Sequence, residues 1–369
     1  MSKMKDNEEI VKDFLSIEND NLVGGKYSAI SNDFFEKLKL ERTGKLCEKY
    51  KIKPIQFTFE ITNRCNCHCE HCGMSANSKT DKPRLSIDEL DTISDELEKA
   101  GIISYAITGG EPFLEFENMC RFMKKCRGKL DVIKLISNGF WGEKVEWYFN
   151  KMEDAGLFDN RFVVPAIQLS IGEQSVPLEY VCNIIEYVSR NYSINQLHIG
   201  LIYTWSEKLE PKLEMLYNIY KEKFGEFPKN RVYITISQYK NYVEGQGEKL
   251  NVIAESVYDE IGYCDNTFSE ELGKFVSPKI FMQVNGDCYP CEIFNTHSCV
   301  YLGNLFKEGI ESVLEKYNSN KYVAFIKKYG TGMFREVIPE KVLKEKFVET
   351  PCMACEFCIK YCEKNKLLK

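Results

Sequence analysis

The chain has no apolar run of the roughly 20 residues that a bilayer-spanning helix needs, and residues 1–9 carry no apolar segment after their lysines. Neither a membrane anchor nor a secretory signal is expected, so the expected compartment is the cytoplasm. An excess of positive charge is missing too, the formal net charge being −6. Without it there is no general attraction for phosphate backbones, which speaks against a nucleic-acid partner. A disulfide framework is also not expected. The 16 cysteines belong to a chain assigned to a reducing compartment, where metal ligation, catalysis or plain burial accounts for such residues. What is present is ample: 369 residues, 44% hydrophobic and 28% charged, enough for one large core plus an appendage.

Cys65, Cys69 and Cys72 stand in a CxxxCxxC spacing directly after the apolar stretch at 55–61. A four-iron cluster normally takes four thiolates, so three close ligands leave one iron open to something that is not protein. A zinc knuckle also uses closely spaced cysteines. It ordinarily wants a second pair at matching distance, and none lies within the next forty residues. Cys67 reads as a spare thiol of the same loop. Further on, Gly109-Gly110-Glu111-Pro112 ends the next strand-like segment, and its glycines permit close backbone approach to a ligand.

Strands and helices alternate along the chain. Residues 55–61 read as a first strand, and Ser86 with Glu89 as a capping box opening a helix that stops at Gly101. Apolar or periodic segments at 102–108, 115–127, 132–137, 143–155, 162–171, 179–190, 196–203, 207–224 and 231–237 continue the pattern. Six strands with intervening helices imply a parallel sheet with crossovers on its outer face, an α/β fold. Sites in such sheets lie at the carboxyl ends of the strands.

The cysteine run followed by Gly-Gly-Glu-Pro resembles the signature of the radical S-adenosylmethionine (SAM) enzymes. That resemblance implies a partial (β/α)6 barrel over residues 54–250, with a 4Fe–4S cluster on the loop after its first strand. In the family the open iron chelates SAM, and an electron from the cluster splits it to a 5′-deoxyadenosyl radical that abstracts hydrogen from a substrate. Gly109, Gly110, Glu111 and Pro112 would form the loop at the methionine end of SAM, Glu111 bracing it. Ser137 and Asn138 at the end of strand three, and Ser170 at the end of strand four, would contact the ribose or methionine portion. His71 replaces an aromatic residue common in relatives. Gly245-Gln246-Gly247 resembles a cofactor-closing element but lacks its arginine.

A second informative region covers 251–369, and residues 1–53 form a helical extension before the barrel. Asn285-Gly286 between two β-rich runs is a strong hairpin signal. With Cys264, Cys288, Cys291, the Leu302-Gly303-Asn304 element and the tail Cys352, Cys355, Cys358 and Cys362, it resembles the SPASM or twitch extension of radical SAM enzymes. The tail spacing CxxCxxCxxxC also matches a bacterial ferredoxin run. One or two auxiliary 4Fe–4S clusters follow: Cys264, Cys288, Cys291 and Cys362 for one, and Cys352, Cys355 and Cys358 for another. Cys299, or an open iron able to bind substrate, would complete the second. A zinc site built from the tail cysteines is the alternative. Glu292, directly after Cys291, stands where sulfatase-maturing relatives have an aspartate base, although an exposed hairpin glutamate reads the same way. Cys120, Cys126 and Cys182 sit among apolar neighbours and read as core.

Many relatives with such an extension modify ribosomally made peptides. The leading expectation is therefore a thioether, crosslink or epimerised residue on a peptide, with electrons from a flavodoxin or ferredoxin. A small-molecule dehydrogenase and a sulfatase-maturase-like enzyme are the enzymatic alternatives, and a non-enzymatic iron–sulfur electron carrier is the alternative of another class.

Overall fold

The computed structural model describes residues 56–69, 72, 76, 83–161, 164–172, 176–205, 210–238, 279–292, 298–321, 323, 339, 341 and 360–366. Six strands, β1 (Gln56–Glu60), β2 (Ser104–Thr108), β3 (Asp131–Ser137), β4 (Ala166–Ile171), β5 (His198–Trp205) and β6 (Val232–Gln238), alternate with helices. The helices are α1 (Ile87–Lys99), α2 (Phe116–Cys126), α3 (Val145–Asp154), α4 (Leu178–Asn191) and α5 (Glu210–Phe224). The expected capping box opens α1: Ser86 Oγ accepts the Glu89 amide while the Glu89 carboxylate accepts the Ser86 amide. Leu90, Ile93 and Leu97 then fall on one buried stripe at helical spacing.

The six strands pair in parallel and in chain order, so each connection between them is a crossover. The free edge of β1 is taken by β7 (Lys279–Met282) rather than by β6, so the sheet stays open. From β7 the chain turns at Asn285-Gly286 into antiparallel β8 (Asp287–Tyr289), then β9 (Gly303–Asn304) and α6 (Leu305–Ser319). Asn304 caps α6 by accepting the Phe306 and Lys307 amides, and its own amide reaches back to Asn285 O and Asp287 Oδ1. One residue thus starts the helix and staples the hairpin turn.

Register separates the two faces of this sheet. Phe57, Phe59, Tyr105, Ile107, Val132, Leu135, Ile167, Leu169, Ile199, Leu201, Ile280 and Met282 all enter the main core, packed against the helices. Each fully buried large side chain of that face contributes about 1.5–3 kcal/mol. The alternate positions face the other way: Gln56, Thr58 and Glu60; Ser104, Ala106 and Thr108; Lys134 and Ile136; Ala166, Gln168 and Ser170; His198 and Gly200; Lys279 and Phe281. A bulge opposite Tyr105 and Ala106 keeps Val132 and Leu135 both in the core while Lys134 turns inward. The inner face is polar along most of its width, in contrast to the apolar outer face. Cys120, Cys126 and Cys182 lie in the outer core as expected, and burial pushes each thiol up to about 12.

Candidate active site

The loop carrying Cys65, Cys67, Cys69 and Cys72 leaves the carboxyl end of β1, and none of the four is in a disulfide. They gather around Ala76 and Val176, flanked by Phe140 and Tyr180. The Gly109-Gly110 loop packs directly on this segment: Gly110 N–H donates to Thr62 O at 2.6 Å and Glu111 N–H to Arg64 O at 2.8 Å. A Cβ on Gly110 would stand 2.2 Å from Arg64 O, and one on Gly109 2.4 Å from Thr62 O. Both glycines are therefore required by contact with the cysteine loop itself, before any ligand is considered.

Glu111 is buried and braces two strand ends. It accepts hydrogen bonds from Phe113 N–H at 3.0 Å, Ser137 Oγ at 2.9 Å and Asn138 N–H at 2.7 Å. Burial still pushes its carboxyl up to about 7, those hydrogen bonds only partly offsetting the lost hydration. Pro112 opens the following 3₁₀ turn, whose Phe113 stacks on Trp141 at 4.6 Å. The Ser137 hydroxyl also accepts from Trp141 Nε1 and Gly139 N–H, so it is engaged within the protein. Asn138 sends its amide to Asn66 Oδ1 at 2.8 Å and to Cys67 Sγ at 3.3 Å. Ser170 faces inward near the end of β4, half-buried.

Several residues that hold this edge carried no signal of their own in the sequence. Glu115, nearly buried, pairs with Arg64 at 3.0 Å and Arg84 at 3.4 Å, anchoring the base of the cysteine loop to the start of α2. Glu60, on the inner face, is 1% exposed; its Oε2 accepts Val284 N–H at 3.2 Å and its Oε1 has no partner. Burial pushes that carboxyl up to about 8, the Val284 hydrogen bond only partly opposing the rise. A paired carboxylate-rich motif would have flagged such a residue; a single glutamate in a strand does not.

The hairpin turn at 285–286 lies at the carboxyl end of β1 as well, because β7 runs parallel to β1, and β8 then carries the chain back towards the amino end. Cys288 pairs with Met282 and is buried with it in the outer core. Cys291 is buried outside that core cluster. Two cysteines expected to share one cluster thus occupy different surroundings here. Cys299 and Cys362 approach each other instead, because Glu363 accepts hydrogen bonds from Ser298 Oγ and Cys299 N–H, both at 2.9 Å. Cys264, Cys352, Cys355, Cys358, His71 and the 245–247 element lie outside the described residues. Glu292 forms an ion pair with the inner-face Lys279 at 2.6 Å, its own side chain 47% open. Burial pushes its carboxyl up, but Lys279 and the charge of Lys134 outweigh that and hold it below the usual range. Lys279 is level with Gln56 at the start of β1, so this ion pair lies about the length of that strand from the cysteine loop, roughly 13 Å for five residues.

Among the described residues, no three Cys, His, Asp or Glu side chains converge on one metal-sized point. Cys65, Cys69 and Cys72 nonetheless have the right chemistry for an iron–sulfur cluster: soft, reduced sulfur donors on one loop whose base is fixed by backbone bonds. The sequence model of the Radical SAM superfamily matches residues 59–171, from β1 through β4. The chain is an enzyme that carries a Radical SAM domain over these residues. The cofactors of this family are a 4Fe–4S cluster and SAM. The enzyme is 26% identical over 301 residues to the putative peptide biosynthesis protein YydG of Bacillus subtilis strain 168, spanning 79% of this chain and 86% of YydG. Over 92 residues it is 32% identical to the antilisterial bacteriocin subtilosin biosynthesis protein AlbA of the same strain, covering 23% of this chain and 19% of AlbA. Streptococcus suis SuiB bound to its precursor peptide SuiA superposes with a TM-score of 0.49 at 14% identity, over 95% of this chain and 88% of SuiB. Among the described residues, no helix is long and apolar enough to cross a membrane.

Proposed function

We propose that this radical SAM enzyme modifies a ribosomally made peptide, removing hydrogen from a residue to leave a thioether, a crosslink or an epimerised centre. The observation that carries the reading is the similarity to YydG over most of both chains. The polar inner face agrees with it, because a peptide segment needs hydrogen-bonding partners along a groove, and this face offers them from Gln56 to Ser170.

Cys65, Cys69 and Cys72 would hold the 4Fe–4S cluster, which would supply the electron for reductive cleavage of SAM. The protein's own share is positioning. Gly109, Gly110, Glu111 and Pro112 place backbone groups at the methionine end of SAM, and Ser137, Asn138 and Ser170 border it from the ends of β3 and β4. Glu292 faces the inner space from the opposite edge, ionised beside Lys279, where it takes a proton or a hydrogen bond from the substrate. The cysteines of the 251–369 extension would hold an auxiliary 4Fe–4S cluster, which would supply an acceptor for a second electron when the product is oxidised. The 1–53 segment, the 54–250 barrel and that extension are the functional divisions, with a flavodoxin or ferredoxin as electron donor in the cytoplasm.

The test is anaerobic co-expression in heavy water with a short peptide encoded beside the enzyme, followed by peptide mass. Loss of two hydrogens reports a crosslink or thioether, and gain of one carbon-bound deuterium reports epimerisation. An unchanged peptide alongside 5′-deoxyadenosine formation would contradict the peptide reading and favour a small-molecule substrate.

A further inference from the structure

Asn138 sits in the Ser-Asn-Gly run at the end of β3, where a contact with SAM is the expectation that the family resemblance gives. Its bonds in this protein lead elsewhere. The side-chain Nδ2 donates to Asn66 Oδ1 at 2.8 Å and to Cys67 Sγ at 3.3 Å, and stands 4.0 Å from Cys65 Sγ. The side-chain Oδ1 accepts Phe140 N–H at 3.1 Å, and the Asn138 main-chain N–H is held by Glu111 Oε2 at 2.7 Å. Both ends of the amide are thus committed, and the residue is only 7% exposed. Flipping the amide would set an NH₂ against the Phe140 N–H and an oxygen against Asn66 Oδ1, so the hydrogen-bond pattern fixes its orientation.

The contacts form a chain across three strand ends. Gly110 and Glu111, after β2, bind the backbone of Thr62 and Arg64; Glu111 binds Asn138 after β3; Asn138 binds back to Asn66, Cys67 and the neighbourhood of Cys65 after β1. Cys67 reinforces the closure, its N–H lying 3.3 Å from Cys65 Sγ. Nothing about the CxxxCxxC spacing demands an asparagine 73 residues away at its first sulfur.

We propose that Asn138 is a positioning residue for the cysteine loop, its amide clamping the loop to β3 and setting the reduction potential of the cluster held by Cys65, Cys69 and Cys72. An N–H directed at cluster sulfur stabilises the reduced, more negative state, and hydrogen bonds to sulfur are among the factors that set such potentials. Removing the donor makes reduction harder. The effect belongs to the cluster and holds whatever the substrate is.

The test compares the full-length, cluster-loaded enzyme with Asn138→Asp, an isostere that cannot donate from that oxygen, and with Asn66→Ala. Asn66 is exposed, so its replacement loosens the clamp without disturbing a buried side chain. The readouts are iron content and the midpoint potential of the paramagnetic signal that changes when SAM is added, which separates this cluster from any auxiliary one. The expected result is a more negative potential in Asn138→Asp and a smaller shift of the same sign in Asn66→Ala. The charge that Asn138→Asp adds would itself lower the potential, so the neutral Asn66→Ala is the deciding variant, and a merely structural role would leave its potential unchanged. A wild-type potential in Asn66→Ala overturns the proposal, whether or not Asn138→Asp folds.

Discussion

On β1, Phe57 and Phe59 point one way and Thr58 and Glu60 the other, and all four are buried. The phenylalanines enter the main core, where Phe59 meets Phe122 of α2 edge-on at 5.1 Å. The threonine and the glutamate face a surface lined by Lys134, Gln168 and Lys279. Burial therefore means two different things on one strand. On the outer face it stabilises the fold through removal of apolar area from water. On the inner face it desolvates groups that would otherwise stay wet, and it lifts the Glu60 carboxyl to about 8. The lesson is that one face of the sheet carries the fold, while the other keeps polar groups buried at a cost in stability.

That contrast can be broken or sharpened by substitution. Gly110→Ala should have the largest effect on function, since its methyl meets Arg64 O rather than a side chain that can move. The expected outcome is loss of the SAM-responsive cluster signal with little change in far-ultraviolet circular dichroism; retention of that signal would show that the loop tolerates displacement. Phe59→Ala, on the outer face, should cost about 3–5 kcal/mol in chemical denaturation while leaving SAM cleavage per folded enzyme unchanged. Were cleavage to fall in parallel, the separation of faces would be wrong.

Glu60→Gln tests the inner face through pH. Because the folded-state pKa of Glu60 is raised from 4.5 to about 8, its favourable share of stability is complete below pH 4.5 and is lost as pH rises to 8. The amide has nothing to lose across that window. At pH 7 the variant should therefore exceed the wild type by on the order of 3 kcal/mol, an upper bound from 1.36 kcal/mol per pH unit, and the two should converge near pH 4. Parallel stability curves would contradict this. Lys279→Met is expected to be the smallest change, under about 1 kcal/mol because Glu292 is half open to water. Glu292 has a depressed pKa, so that small loss should be present above pH 4.5 and fade as the solution is acidified. A loss that persists at low pH would point to packing of the lysine stem instead.

Much of this was legible in the sequence, and the illegible part has a common cause. The capping box at Ser86 and Glu89, the strand–helix alternation and the Asn285-Gly286 turn are local, and each appears where the spacing puts it. The cysteine loop was legible because Cys65, Cys69 and Cys72 form a pattern within eight residues. Its bracing was not, since Arg64 meets Glu115 across 51 positions and Asn66 meets Asn138 across 72. The extension of the sheet beyond β1 was hidden for the same reason, β7 pairing with β1 from more than two hundred residues away. Cys288 and Cys291 look equivalent by spacing, yet hairpin register buries the first beside Met282 in the outer core. Register depends on pairing partners, and a one-residue step reverses a side chain's face.

The central claim is that the inner face and the cysteine edge perform radical chemistry on SAM. The most direct measurement is 5′-deoxyadenosine formed from SAM by the reconstituted, anaerobic enzyme under a strong reductant, beside a variant in which Cys65, Cys69 and Cys72 are all alanine. The account predicts 5′-deoxyadenosine from the wild type and none above background from the triple variant. Equal formation by both, or none from a wild type shown to hold its cluster, would contradict it.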